Sequence, residues 1–354
     1  MKKHVYIFFN IIVIFTSSVM AQKTLKFNRE ESEFIRLTRN FEQDLNKRLI
    51  EPYFCDVSDT ILVVTENKLE NTQFKFFSTV SGKFLGSYGK KGEGPGEISY
   101  LPTMIHQDFI KNEGLIFLDW GKKRISKIRV ESMLERVDFI PQQYYVLHSD
   151  LIFAQRVMYL NDSTVVGFGG VRQGRLYVSN IRTDETTFTE FIPDPGFTVS
   201  ERNIGYAYFG YFSISSANKR IVTTSRYFNQ LEIYDYNLNL LSVIRNENEF
   251  EIQIDTKGLV NENSRVYYND IDVSDNYIYA LYVNVNVNET LNEMLNDDEV
   301  EESEIHVFDW DGNFLMRYIL EGYYESFTID ERNNRFYAVN PYDISKNIYS
   351  FDIK

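Results

Sequence analysis

The sequence is short of cysteine, histidine, basic charge and long apolar runs, and each shortage excludes something. Cys55 is the one cysteine in 354 residues, so no intramolecular disulfide can form and stability must come from a packed core. A lone cysteine in "YFCDV", with no local partner, reads as a small buried apolar residue rather than a nucleophile. His4, His106, His148 and His306 lack metal-ligand spacing, and no serine sits in a G-x-S-x-G setting. No linear motif therefore assigns a catalytic residue, a metal or a cofactor. Lys and Arg number 37 against 51 Asp and Glu, for a net charge of −14. That balance argues against nucleic acid or an anionic membrane surface as a general partner. After Phe15 no segment is apolar enough to span a bilayer.

The one apolar run, Val5 to Phe15, is broken only by Asn10; it follows Lys2 and Lys3 and precedes Val19-Met20-Ala21. The pattern predicts a signal peptide over residues 1–21 and a mature chain over 22–354, exported to the periplasm or beyond. No cysteine follows the cleavage site, so no lipid anchor is expected there. His306, between Ile305 and Val307, reads as a partly buried structural residue.

Aromatic residues are abundant, with 28 Phe and 25 Tyr, which suits a β-rich core. Short β-like runs recur after polar turns, with anchors at Ile61, Leu115, Val165, Ile221, Tyr277 and Arg335. Their spacing, near 55 residues, fits four strands and their turns. An inner strand precedes each turn: "EPYFCDVS", "PTMIHQDF", "QRVMYL", "GYFSISS", "YYNDIDVS" and "YESFTID". Hairpins follow in "FKFFSTVSGKFLGSY", "LEIYDYNLNLLSVI" and "IHVFDWDGNFLMRYI". The expected fold is an all-β, six-bladed propeller forming a single domain. The sixth unit ends at "NIYSFDIK" without a fourth strand, and an N-terminal strand, "TLKFN" (Thr24–Asn28), is expected to close it. Phe34, Leu37, Phe41, Leu45 and Leu49 recur at helical spacing, with Asn28 and Glu31 as a capping pair, and predict one N-terminal amphipathic helix.

"FLGSYGKKGEGPGEISYLP…GLIFLDWGKKRISKI" is similar to the NHL-repeat pattern: a Gly-rich turn, a following Pro, a strand ending at Asp119, and Arg124-Ile125. The whole arrangement resembles the TolB-like six-bladed propeller proteins of Bacteroidetes-type bacteria. The resemblance implies the fold and export; that family's function is largely uncharacterised. Many of its members carry a lipoprotein cysteine that this chain lacks.

The glycine loop invites a phosphate reading, but Gly96 is followed by Glu97-Ile98-Ser99 rather than Lys-Ser/Thr and a helix. It is expected to turn a corner between blades, with Gly92, Gly94 and Gly96 at positive φ. "FDWDGN" opens like a calcium loop, yet the later ligands are missing, and a hairpin turn is expected. The longest segments, Gly89–Pro102, Asp138–Gln155, Ile192–Phe209, Arg245–Tyr267 and Asn284–Glu304, fall on one face of a propeller. Long loops on a rigid scaffold are where binding usually lives. On that face Phe197, Tyr206, Tyr208, Tyr227 and Phe228, beside Arg172 and Arg226, are expected to bind ligand. Lys122, Lys123, Arg124 and Arg175 share it, and the insertion "NVNETLNEMLNDDEVEESE" is acidic. The opposite face, with turns such as "NDS" and "SDN", is expected to offer little concave surface.

These observations favour an exported, monomeric, non-catalytic binding or scaffold module whose partner is a protein, a peptide or a glycan. The alternative is a metal-assisted hydrolase or lactonase with an ion in the central channel, held by Glu51, Asn269, Asp270 and Glu325.

Overall fold

The computed structural model describes residues 23–41, 43–67, 72–94, 96–111, 113–130, 143–148, 151, 154–171, 174–200, 203–247, 254–255, 264–286, 302–342 and 347–353. The expected signal peptide, Arg172 and residues 287–301 of the acidic insertion lie outside them.

The chain starts with β1 (Lys23–Phe27), β2 (Phe34–Leu37), β3 (Arg39–Phe41) and a single helical turn, α1 (Gln43–Asn46). Blade 1 is β4 (Pro52–Ser58), β5 (Ile61–Glu66), β6 (Thr72–Ser78) and β7 (Phe84–Lys90). Blade 2 holds β8 (Leu115–Asp119), β9 (Arg124–Ile128) and β10 (Gln143–Val146). Blade 3 is β11 (Ala154–Asn161), β12 (Thr164–Val171), β13 (Gly174–Asn180) and β14 (Thr186–Phe188). After the turn α2 (Ile204–Ala207), blade 4 is β15 (Gly210–Ser215), β16 (Arg220–Ser225), β17 (Gln230–Asp235) and β18 (Leu240–Asn246). Blade 5 is β19 (Arg265–Val273), β20 (Tyr277–Asn286), β21 (Glu302–Asp309) and β22 (Phe314–Glu321). Blade 6 has β23 (Ser326–Asp330), β24 (Arg335–Val339) and β25 (Ile348–Asp352).

Each sheet is apolar on both faces because it is sandwiched between two others. Six core clusters follow, one at every junction. Phe74 and Phe117 join blades 1 and 2, Leu118 and Val157 join 2 and 3, and Phe168 and Phe212 join 3 and 4. Leu231 and Tyr268 join 4 and 5, Leu281 and Phe327 join 5 and 6, and Val339 and Cys55 join 6 and 1. The last junction closes the ring. Cys55 is fully buried there, and burial pushes its thiol well above the ordinary range.

An N-terminal strand closes the propeller, but Thr24–Asn28 is not that strand. β1 adds in parallel to the outer edge of blade 4 through β18, and β2 adds in parallel to β22 of blade 5. It is β3 that pairs antiparallel with β25 and completes blade 6. One short alternating strand specifies a free edge but not which edge. The expected amphipathic helix shrinks to α1, because Phe34–Leu37 and Arg39–Phe41 are extended. Leu37, Leu45 and Leu49 are buried as that spacing implied, whereas Phe34 is exposed under the Arg317 guanidinium.

The glycine loop turns a corner. Gly92 N–H donates to the Ile98 carbonyl, and the Glu97 carboxylate folds back to accept the Gly94 N–H at 2.9 Å. Lys122 Nζ donates to the carbonyls of Gly94 and Glu97. Positive φ falls at Gly89 and Gly92, while Gly94 instead admits the close approach of Glu97. At Asp309 one carboxylate oxygen accepts the N–H groups of Asp311 and Asn313, and the same turn recurs at Asp235 with Asn237 and Asn239. Both are hairpin turns closed by their own aspartate.

Gly210, which begins the inner strand of blade 4, has no room for a side chain. A Cβ there would lie 2.0 Å from the Thr224 carbonyl oxygen of the paired strand. Backbone cannot rotate away as a rotamer can. Gly210→Ala is expected to cost about 2–3 kcal/mol, read as a lower urea midpoint at unchanged slope.

Candidate functional site

The inner strands run along the axis, and their two ends carry different chemistry. At the starting end, on the long-loop side, Arg226 follows β16 and points at Glu325, which precedes β23. Arg226 donates to Glu325 Oε1 at 3.1 Å and to the Tyr211 hydroxyl at 2.8 Å. Tyr323 Oη donates to Glu325 Oε2 at 2.7 Å, and Asn269 Nδ2 donates to Tyr323 Oη and the Tyr324 carbonyl. Burial opposes the Arg226 charge, but Tyr211 and Glu325 outweigh it and hold the guanidinium ionised. Tyr53 and Tyr342 both feel the Arg226 and Glu325 charges, and they are 38% and 44% exposed. Two partly exposed tyrosines therefore lie in the neighbourhood of an internally satisfied ion pair, Tyr342 through its ring contact with Tyr323 at 6.1 Å.

Of the residues expected to bind ligand, Phe197, Tyr208, Tyr227 and Phe228 come together in one small apolar cluster with Val199 and Ala207. Tyr208 and Phe228 are buried and stacked at 5.7 Å, so their rings cover the structure beneath rather than face outward. Tyr206 is 69% exposed. Arg226 is in the mouth, and Arg172 is outside the described residues. Arg175 is buried against Glu232 and unavailable to a ligand. Tyr53, Tyr323 and Tyr342 were not singled out by sequence; the positions beside inner-strand starts were the available signal.

The four residues of the alternative metal reading do not form one donor set. Asn269 and Glu325 lie together in this mouth, Asp270 turns to His106, and Glu51 is exposed.

The finishing end holds a cavity of about 420 Å³ lined from all six blades, among them by Asp56, His106, Tyr159, Ser215, Asp272 and Glu331. This corrects the expectation for the short-turn face. The concavity belongs to the axis, where six strand ends diverge, and short turns leave it uncovered. His106 reaches it because blade 2 lacks a regular inner strand: only Thr103 bridges to Leu118. The Gln107 side chain replaces the missing peptide pairing, donating to the Ile116 carbonyl at 2.7 Å and accepting the Ile116 N–H at 2.9 Å. The backbone is thereby free to turn His106 inward.

Side chains around this end tie each inner strand to the next. Asp270 Oδ2 accepts from Ser326 Oγ and the Phe327 N–H, and Asp272 Oδ2 accepts from Thr328 Oγ1 and the Ile329 N–H. Ser326 and Thr328 in turn accept the N–H groups of Cys55 and Val57, and Asp56 Oδ2 accepts that of Gln107. His106 sits among Asp56, Asp270 and Asp272, all buried. Burial would push the imidazole down, but Asp272 and Asp270 raise it well above its ordinary value. Burial pushes Asp56 up to about 7, against the pull of His106. Sequence reading missed Asp56, His106 and Asp272. A signal existed: Asp56-Val57-Ser58-Asp59 recurs as Asp272-Val273-Ser274-Asp275, placing the same carboxylate at the ends of β4 and β19.

Fold and axis together define the class: a six-bladed propeller with a tyrosine-flanked ion pair at one end of its axis and a histidine–aspartate cluster at the other. The chain belongs to the TolB-like 6-blade propeller-like family, whose model matches residues 30–332. Its fold is similar to that of a DUF4221 family member from Bacteroides vulgatus, with a TM-score of 0.56 and 12% identity over 86% of this chain and 91% of that one. It is likewise similar to a Bacteroides fragilis protein named as an exported protein, with a TM-score of 0.55 and 13% identity over 94% and 99% of the two chains. No curated protein matches the sequence. No helix among the described residues is long and apolar enough to cross a membrane.

Proposed function

We propose that this protein is an exported, non-catalytic glycan-binding propeller whose ligand docks at the long-loop mouth of the axis. The observation that carries this reading is the pair of exposed tyrosines, Tyr53 and Tyr342, at the mouth that holds the Arg226–Glu325 pair, with Tyr342 in ring contact with Tyr323. Sugar rings stack on tyrosine faces, and the tyrosine hydroxyls exchange hydrogen bonds with sugar hydroxyls while the buried ion pair holds the mouth in shape. Tyr206 and Phe197 extend the same face. The N-terminal Lys2-Lys3 and apolar run, together with the name of the Bacteroides fragilis relative, support export to the periplasm or cell exterior.

An array of envelope oligosaccharides, followed by calorimetry on the best binder, tests this. Tyr342→Ala and Tyr53→Ala are each expected to weaken binding about tenfold, in line with 1–1.5 kcal/mol for a stacked ring. Asp59→Ala, at the other end, is expected to leave it unchanged. A ligand that ignores both tyrosines and responds at Asp59 would sink the placement, and a basic or acidic peptide captured in place of any sugar would sink the ligand class.

A further inference from the structure

The histidine–aspartate cluster gathers two carboxylates around one imidazole nitrogen, away from solvent. Asp56, His106 and Asp272 each offer one ligand atom, all within 4.8 Å of one another and all buried. His106 Nδ1 lies 3.4 Å from Asp56 Oδ1 and 3.6 Å from Asp272 Oδ2. Charge-assisted hydrogen bonds close to about 2.7–2.9 Å, so these are too long to be good ones. Ligand atoms about 2.0–2.2 Å from a shared ion stand roughly 3.0–3.6 Å apart, the spacing found from the His106 nitrogen to each of the two carboxylates.

A second observation fixes which nitrogen faces inward. His106 Nε2 lies 3.2 Å from Asp270 Oδ2, and Asp270 is itself held by Ser326 Oγ and by the N–H groups of Ile271 and Phe327. A buried carboxylate that takes the outer N–H of an imidazole orients the other nitrogen toward a metal and raises its basicity. Charge points the same way. No Lys or Arg ion pair serves Asp56, Asp270 or Asp272 among the described residues, so one imidazole faces three buried carboxylates. The cavity supplies access, and Asp59, Asp108, Asp275 and Glu331 on its wall outnumber Lys111 and Arg332.

The geometry points to a divalent first-row transition-metal site formed by Asp56, His106 and Asp272, with Asp270 positioning the histidine and one coordination position left toward the cavity. One nitrogen and two carboxylate donors suit zinc or manganese better than calcium or magnesium, which prefer all-oxygen shells. The three ligands come from blades 1, 2 and 5, so the ion would pin the axis across non-adjacent blades. This inference is independent of the glycan reading, which concerns the opposite mouth.

The test uses the full mature chain, stripped with chelator and dialysed against zinc, manganese, calcium or magnesium, then passed through gel filtration for elemental analysis. About one equivalent of zinc per chain is expected, with a rise in melting temperature on loading. His106→Gln and Asp56→Asn are each expected to weaken zinc binding at least 100-fold, and Asp270→Asn about 10–100-fold. Asp59→Asn, on the rim, is expected to leave it unchanged. Should the buried variants fail to fold, the X-ray absorption edge of the zinc-loaded wild-type chain reports the donors directly, with one imidazole nitrogen expected. The site is overturned by a wild-type chain that retains neither zinc nor manganese, by retention that survives His106→Gln, by a spectrum without imidazole, or by preference for calcium or magnesium.

Discussion

Deleting residues 23–41 is expected to abolish the soluble monomer. The segment supplies the outermost strand to three successive blades: five residue pairs with β18, four with β22 and three with β25. Phe27 and Leu37 are buried in the blade 4–5 and 5–6 cores, and each is worth about 1.5–3 kcal/mol of burial. Arg29 adds an ion pair to Glu304. Together these approach the roughly 5–15 kcal/mol that holds a typical domain folded. The truncated chain would also expose three strand edges, which invites edge-to-edge association. Gel filtration and thermal unfolding of the shortened chain check this, with aggregation or a loss of the cooperative transition expected. A peptide of residues 23–41 added in trans is expected to restore the monomer by strand addition. A shortened chain that stays monomeric and melts within a few degrees of the full one would refute the expectation.

The blade count was legible because its signal is repetitive. Ile61, Leu115, Tyr277 and Arg335 each open the second strand of a blade, and Val165 and Ile221 fall one residue inside theirs. Repetition averages out the weakness of any single strand pattern. The N-terminus offered no repetition. Three- and four-residue strands are too short to show a period of two, so the 3–4-residue spacing of Phe34, Leu37, Phe41, Leu45 and Leu49 fitted a helix equally well. What decides the matter is tertiary: β2 pairs with β22 of blade 5 and β3 with β25 of blade 6, pairings that require the chain to lie extended.

The axis was harder to read than the rim. Arg226 was legible because it sits in a second-to-third-strand connection, which opens on the long-loop face, beside Tyr227 and Phe228. His106 was not, because isolated histidines carry no spacing signal, and its partners stand 50, 164 and 166 positions away along the chain. Only the ring closure makes Asp56, His106 and Asp272 neighbours. A repeat protein hides its axial chemistry in this way: each blade contributes one or two residues, and linear motifs never see them together.

Glu304→Gln is expected to be the most destabilising single substitution on the outer part of blade 5. Glu304, on β21, is nearly buried and accepts from Arg29 at 2.6 and 2.9 Å, from Arg317 at 2.6 Å and from His306 Nε2 at 3.0 Å. His306 is fully buried and stacked on Tyr282 at 4.4 Å, and burial holds its imidazole below the ordinary value, so it serves as a neutral donor. For Glu304, burial alone would raise the carboxyl, but the hydrogen bonds from His306 and Arg29 win and hold it far below the usual range. Removing the charge takes the shared carboxylate from Arg29 and Arg317, and breaking such a buried pair costs about 3–5 kcal/mol. Because the folded carboxyl is depressed, its contribution is complete above the unfolded value of roughly 4.3 and is lost as pH falls through the folded one. The gap in melting temperature between wild type and Glu304→Gln should therefore be widest near neutral pH and narrow below about pH 4. Arg29 lies in the N-terminal segment, so Glu304 is also the clasp that fixes that segment to blade 5. In a double-mutant cycle Arg29→Ala is then expected to cost markedly less once Glu304 is Gln, by at least about 1 kcal/mol. Strict additivity of the two, or a gap that widens in acid, would show that the clasp does not form.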